Sequence, residues 1–286
     1  MHKLLVRSSL ALAVLAMVAV LGLQRGGMAL AGAPGRPAVT LTISDSSLSI
    51  PATVPAGYTA ITIVNNGTTP HDASFVRVNP GVTIQQLITA GQAINNSQDP
   101  ADFIAFLTIA QFYGGVSGVE PGTSNQLVLN LTPGTYGVAD PEHFDAGLFA
   151  SFTVAGPASD VAPPLADATI IQRDFAFDAP ATIAAGTRTL EVRNTGAQTH
   201  EMALARLDPG YTLQDVLAAL QQGGPDVPPP PWVHEFTSVD PQGPGLTQWV
   251  TLNLTSGTYA MLCFLPDVNT DLPHALEGMV NSFTVR

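Results

Sequence analysis

One pattern is written twice in this chain, and that repeat constrains the fold more than any other feature. Residues 63–87, IVNNGTTPHDASFVRVNPGVTIQQL, align without gaps with residues 192–216, VRNTGAQTHEMALARLDPGYTLQDV, and place His71 on His200. LVLNLTPGTYGVAD (127–140) aligns with VTLNLTSGTYAMLC (250–263), and GLFASFTV (147–154) with GMVNSFTV (278–285). Whatever the first unit folds into, the second folds into as well. Between them, GPASDVAPPLAD (156–167) is rich in Pro, Ala and Asp, as a linker is. The expected organisation is a first domain over 38–155, a linker over 156–167 and a second domain over 168–286.

Each unit reads as short strands. Val39-Thr40-Leu41-Thr42-Ile43, Ala60 to Val64 and Thr189 to Val192 alternate with a period of two. Asn65-Asn66-Gly67 and Asn194-Thr195-Gly196 carry the chemistry of turns. One helix per unit interrupts this pattern, over Thr83 to Ala90 and Thr212 to Leu220, the second stopped by Gly223-Gly224. A further helix is expected in the first unit from Asp99 through Ala110. The 50 Gly and Pro residues and the 11% of charged residues fit a turn-rich all-β protein. Units of about 120 residues have the size of a Greek-key sandwich.

The first 31 residues read as a secretory signal. Lys3 and Arg7 precede an apolar run from Leu10 to Leu23, and Ala29-Leu30-Ala31 offers small residues for cleavage. An uncleaved run would instead tether the protein to a membrane. Without that segment the chain has 7 basic and 22 acidic residues, a net charge of −15. Such a surface does not neutralise phosphates, so nucleic acid is excluded as a partner. An exported chain with one cysteine has no intramolecular disulfide, so Cys263 is intermolecular, reactive or a ligand.

The neighbours of Cys263 favour ligation. His274 and Met279 follow it, and the repeat supplies His200. Thiolate, imidazole and thioether together form a soft donor set that suits copper. The string GTYAMLC…PHALEGMV…TV resembles the C-terminal signature of plastocyanin-type cupredoxins. NNGTTPHDASF and NTGAQTHEM resemble the Asn-rich turn before that family's first ligand histidine. The resemblance covers 38–286 and implies two tandem Greek-key cupredoxin-like sandwiches, each with a helical insertion. It also implies one type 1 copper, held by His200, Cys263, His274 and Met279. The chain departs from the family pattern in its ligand loop: ten residues separate Cys263 from His274, where plastocyanin-like members have two.

The first unit lacks the full set. Asp140 stands where Cys263 stands, Leu148 replaces Met279, and His71 and His143 remain. Two histidines and a carboxylate would suit a harder ion, and the unit is read here as a scaffold without copper. His234, beside Pro228 to Pro231, is read as a surface residue. Enzymatic readings lack their residues. The His-x-His pairs of a multicopper oxidase do not occur, and Leu262 precedes Cys263 where a two-domain nitrite reductase needs histidine. The expected function is one-electron transfer by an exported blue copper protein, with a redox protein carrying a basic docking surface as partner and His274 as the electron's exit. The alternatives are a copper-binding or storage protein without a redox partner and a metal-free interaction module of the same fold.

Overall fold

The computed structural model describes residues 35–97, 99–222 and 230–286. The signal-like segment, Gly223-Gly224 and Pro228-Pro229 of the proline run lie outside the described residues. The first half contributes β1 (Ala38–Ser44), β2 (Ser47–Ser49), β3 (Thr53–Pro55), β4 (Gly57–Asn65) and β5 (His71–Val78). These are followed by α1 (Ile84–Ser97), α2 (Pro100–Leu107), β6 (Ala110–Val119), β7 (Ser124–Leu131), β8 (Gly134–Ala139) and β9 (Phe149–Ala155). The second half repeats the order with β10 (Ala168–Arg173), β11 (Ala176–Asp178), β12 (Thr182–Ile183), β13 (Gly186–Asn194) and β14 (His200–Leu207). It continues through α3 (Leu213–Gln222), β15 (Val233–Gln242), β16 (Thr247–Leu254), β17 (Gly257–Leu262) and β18 (Val280–Val285). The fold is all-β, with the helices inserted between equivalent strands.

Local chemistry sets these boundaries. Thr83 Oγ1 accepts from the Gln86 N–H at 3.2 Å, and Gln86 Oε1 accepts from the Thr83 N–H at 2.9 Å, a reciprocal cap that starts α1. Thr212 and Asp215 repeat half of it at α3, where the Thr212 N–H donates to Asp215 Oδ2 at 2.8 Å. Asp99 caps α2 by accepting from the Ala101 N–H. Along β17, Tyr259 and Met261, with Cys263 just beyond, point into the main core, whereas Ala260 and Leu262 pack under α3 with Val216. Period-two alternation therefore puts the cysteine on the inner face.

The two sandwiches share both of their sheets. One sheet has the order β11-β10-β13-β16-β7-β4-β1-β2, and the other β12-β18-β17-β14-β15-β6-β5-β8-β9-β3. Each order is a palindrome in equivalent strands, hinged at β16/β7 and at β15/β6. Leu127 pairs with Val250, and Val116 with Val239, and these are corresponding residues of the two halves. A pseudo-twofold axis thus runs through both pairs, and the seam is isologous in the manner of a symmetric dimer interface. All four side chains are fully buried in one continuous core.

Polar groups register the seam. Gln248 Oε1 accepts from the Gly115 N–H at 3.0 Å, and its Nε2 donates to the Asp240 carbonyl at 3.0 Å. Ser117 Oγ donates to Asp240 Oδ1 at 2.5 Å, and the Gly118 N–H donates to Asp72 Oδ1 at 2.8 Å. Residues 156–167 lie between β9 and β10 and lean on the first half, where the Ser159 N–H donates to the Ala56 carbonyl and Arg36 donates to that of Ala162.

Candidate metal centre

The site lies where β14 begins and β17 ends. The turn before β14 is built by Asn194, a buried residue whose Oδ1 accepts from the Gly196 N–H at 2.9 Å. Its Nδ2 donates to the carbonyls of Gln198 and Gln242 at 2.7 and 2.8 Å. The turn delivers His200 with both ring nitrogens engaged. Nε2 lies 2.6 Å from Asp174 Oδ1, and Nδ1 faces inward. Burial alone would raise the Asp174 carboxyl, but the Ala197 N–H, the His200 ring and the Gln198 N–H hold it below its usual range. An ionised carboxylate on Nε2 fixes that nitrogen as the N–H and leaves Nδ1 with its lone pair. Gly196 is required here, because a Cβ would lie 2.7 Å from His200 Nε2 and still closer to Asp174 Oδ1.

His200 Nδ1, Cys263 Sγ and a ring nitrogen of His274 converge within 4.8 Å of one another, all fully buried. His274 Nδ1 is 3.1 Å from His200 Nδ1 and 3.3 Å from Cys263 Sγ. The enlarged loop does not carry His274 away. Pro266 and Pro273 form a β-bridge, the His274 N–H donates to the Leu265 carbonyl at 2.9 Å, and the Ala275 N–H donates to that of Cys263 at 2.8 Å. The extra residues therefore form a finger pinched off at its base. Asp267 holds the finger inside by accepting from the Asn269 N–H, Thr270 Oγ1 and Gln198 Nε2. Met279 is fully buried, and its backbone closes the site: its N–H donates to the His274 carbonyl at 2.9 Å, and its carbonyl accepts from the Cys263 N–H at 3.3 Å.

The electrostatics suit a cation. Burial first, then the neighbouring His200, pushes the His274 pKa down to about 4, and burial lowers His200 as well. Both imidazoles are neutral near pH 7 and have no proton to lose before ligation. Burial and the nearby Glu201 push the Cys263 thiol well up. Only a bound cation would bring out the thiolate. Glu201 accepts from the Phe264 N–H at 2.8 Å, and burial raises its carboxyl to about 7.

The His274 ring is covered. Phe175 lies over it with centroids 4.7 Å apart, and its Nε2 is 3.4 Å from Gln198 Oε1. The residue read from sequence as the electron's exit therefore ends beneath Phe175 and Gln198 instead of at the surface. His234 is a half-exposed surface residue, with Nε2 at 3.0 Å from Asp208 Oδ1. Asp174, Phe175, Gln198 and Asp267 were missed in sequence. A signal existed for the first, because Asp45 and Asp174 stand at the same offset as His71 and His200.

No protein-family model and no curated protein matches the chain. Solved structures similar to it include dithionite-reduced auracyanin from Roseiflexus castenholzii, at 26% identity over 41% of this chain and 94% of that one, with a TM-score of 0.28. Auracyanin A, a "blue" copper protein from Chloroflexus aurantiacus, is 20% identical over 41% of this chain and 96% of that one, with a TM-score of 0.25. The Cu-containing nitrite reductase from Thermus scotoductus SA-01 is 13% identical over 87% of this chain and 61% of that one, with a TM-score of 0.26. The fold is a pair of all-β sandwiches, one of which closes a His, Cys and His cluster between its strands.

Proposed function

We propose that the second half binds one copper ion through His200, Cys263 and His274, with the Met279 thioether as a further, weaker donor, and that the protein carries single electrons outside the cytoplasm. The observation that supports this most is the convergence of two imidazole nitrogens and a thiol sulfur within 4.8 Å in a fully buried pocket. One thiolate with two imidazoles is the donor set of type 1 copper. When bound, copper would supply a reversible one-electron couple. The chain's own part is rigidity. Asp174 fixes one imidazole, Gln198 and Phe175 confine the other, and Glu201 and its neighbours hold the backbone around Cys263. Little can move when the charge changes.

The surface over the site also supports electron transfer. Val268, Leu272 and Leu276, on the finger and the turn after it, are exposed apolar side chains, of which the described residues have few. Asp271 and Glu277 stand among them. Such a face fits a partner redox protein with a basic rim, docking transiently. Export is supported by the signal-like N-terminus. Among the described residues, no helix is long and apolar enough to cross a membrane.

Cu(II) added to the purified protein should give strong visible absorption from sulfur-to-copper charge transfer, and Cys263→Ser should abolish it while the fold persists. Tight Cu(I) binding without colour would favour storage instead, and no binding a metal-free module.

A further inference from the structure

We propose that the first half holds a divalent first-row cation, Zn(II) or Cu(II), through Nδ1 of His71, Nδ1 of His143 and Oδ2 of Asp140. The unit was expected to be a scaffold without copper, because aspartate stands at its cysteine position. The structure nevertheless brings these three side chains within 4.8 Å of one another. His71 Nδ1 is 2.6 Å and His143 Nδ1 2.9 Å from the same oxygen, Asp140 Oδ2. His71 and Asp140 are fully buried, while the His143 side chain keeps 32% of its exposure.

The supporting parts of the second half recur here. Asn65 holds the turn as Asn194 does, accepting from the Gly67 N–H at 2.7 Å and donating to the carbonyls of Thr69 and Val119. Asp45 Oδ1 stands 3.3 Å from His71 Nε2, the role Asp174 has for His200. Gly67 leaves room for that contact, since a Cβ would sit 2.7 Å from His71 Nε2. The Asp140 carboxylate is also oriented. Its Oδ1 accepts from the N–H groups of Glu142 and His143 at 3.1 and 3.3 Å, which turns Oδ2 toward the two rings.

Hydrogen bonding fills this arrangement only with a second proton on His71. His71 faces one carboxylate at each nitrogen, and a neutral imidazole has a single N–H to give. His143 directs a second ring nitrogen at the same oxygen, so three ligand-type atoms meet at one point. One cation among these three atoms satisfies all of them, with Asp45 fixing the far nitrogen of His71. The donor set names the metal class. Two imidazoles and a carboxylate without thiolate suit Cu(II) and Zn(II), not Cu(I). Leu148, buried at the place of Met279, offers no further donor, so a fourth position would be left to solvent on the His143 side.

The test is titration of the full chain with Cu(II), read by visible absorption and electron paramagnetic resonance. The expected result is two equivalents bound: one with the charge-transfer band and one without it, the latter showing the wide hyperfine splitting of a tetragonal nitrogen and oxygen site. Asp140→Asn and His143→Ala should each remove the colourless species and leave the band unchanged. The second change is on a solvent-facing turn, and an intact band in the same sample reports that the protein is folded. A wild-type stoichiometry of one coloured copper, or a colourless species that survives in both variants, would overturn the proposal. Should the second half fail to bind copper, the wild type would show the colourless signal alone. Its loss in His143→Ala would still locate it in the first half.

Discussion

Asp240 has no room at the seam for the charge it would carry in water. It is buried, Ser117 Oγ is bonded to one of its oxygens, and the other has no hydrogen-bond partner among the described residues. Burial first, then Asp72, raises its carboxyl well above the usual range, and burial lifts Asp72 to about 6. The folded state therefore binds this proton more tightly than the unfolded chain does. Stability from Asp240 is fully present below its unfolded pKa and is lost as pH rises toward the folded one. Asp240→Asn keeps an oxygen for Ser117 and removes the charge. Melting curves should show the variant exceeding the wild type at pH 8, with the gap closing toward pH 4. Since 1 kcal/mol moves Tm by about 2–4 °C in chains of this size, a gain of several degrees is the expected scale. An equal offset at both pH values would count against the buried charge as its cause. The grouping of His200, Cys263 and His274 in the second half was legible in sequence because Cys and His are rare residue types and stand at informative spacing. Their orienting carboxylates were not, since an aspartate at a strand end reads as turn chemistry.

The finger between β17 and His274 shows how an insertion can leave a site untouched. Its ends are joined by the Pro266/Pro273 bridge, and its interior is organised by Asp267. Asp267 also receives Gln198 Nε2 at 2.6 Å, and Gln198 Oε1 reaches His274 Nε2 at 3.4 Å. Asp267→Ala should loosen the finger and free Gln198. Copper affinity, measured by competition with a chelator, is then expected to fall about tenfold, the low end for an outer-shell loss, with the visible band retained. An unchanged affinity would mean that the bridge alone positions His274. Other elements were partly legible. Sequence placed a helix over Thr83 to Ala90, and α1 runs on to Ser97. Ile94 carries the apolar face of α1 onto the core, and the last turns are also held from outside. Asn95 Nδ2 donates to the Pro141 carbonyl, and Gly91 sits against the Phe144 ring. Such tertiary contacts leave no periodic trace.

At the scale of the molecule, the repeat disclosed two like halves but not how they meet. Val116 and Val239 read as ordinary strand residues, and only the register across the seam makes them partners. That seam predicts how a half behaves alone. Residues 168–286 without the first half would leave one edge each of β15 and β16 unpaired and uncover Trp249, which is 3% exposed and packs edge-on against Tyr58 at 5.5 Å. The isolated half should form a homodimer that rebuilds the palindrome, detectable by sedimentation velocity. A stable monomer would show that the seam is incidental to folding. The same arrangement has a consequence for solubility. Joining the halves through β6, β7, β15 and β16 consumes four long strands whose free backbone would template addition of another chain. What remains at the sheet margins is β2, β3 and β11, of three residues each, and β12, of two. Among the described residues, growth by strand addition would find at each margin only a strand of two or three residues and the open end of the strand beside it, on an acidic, lysine-poor protein.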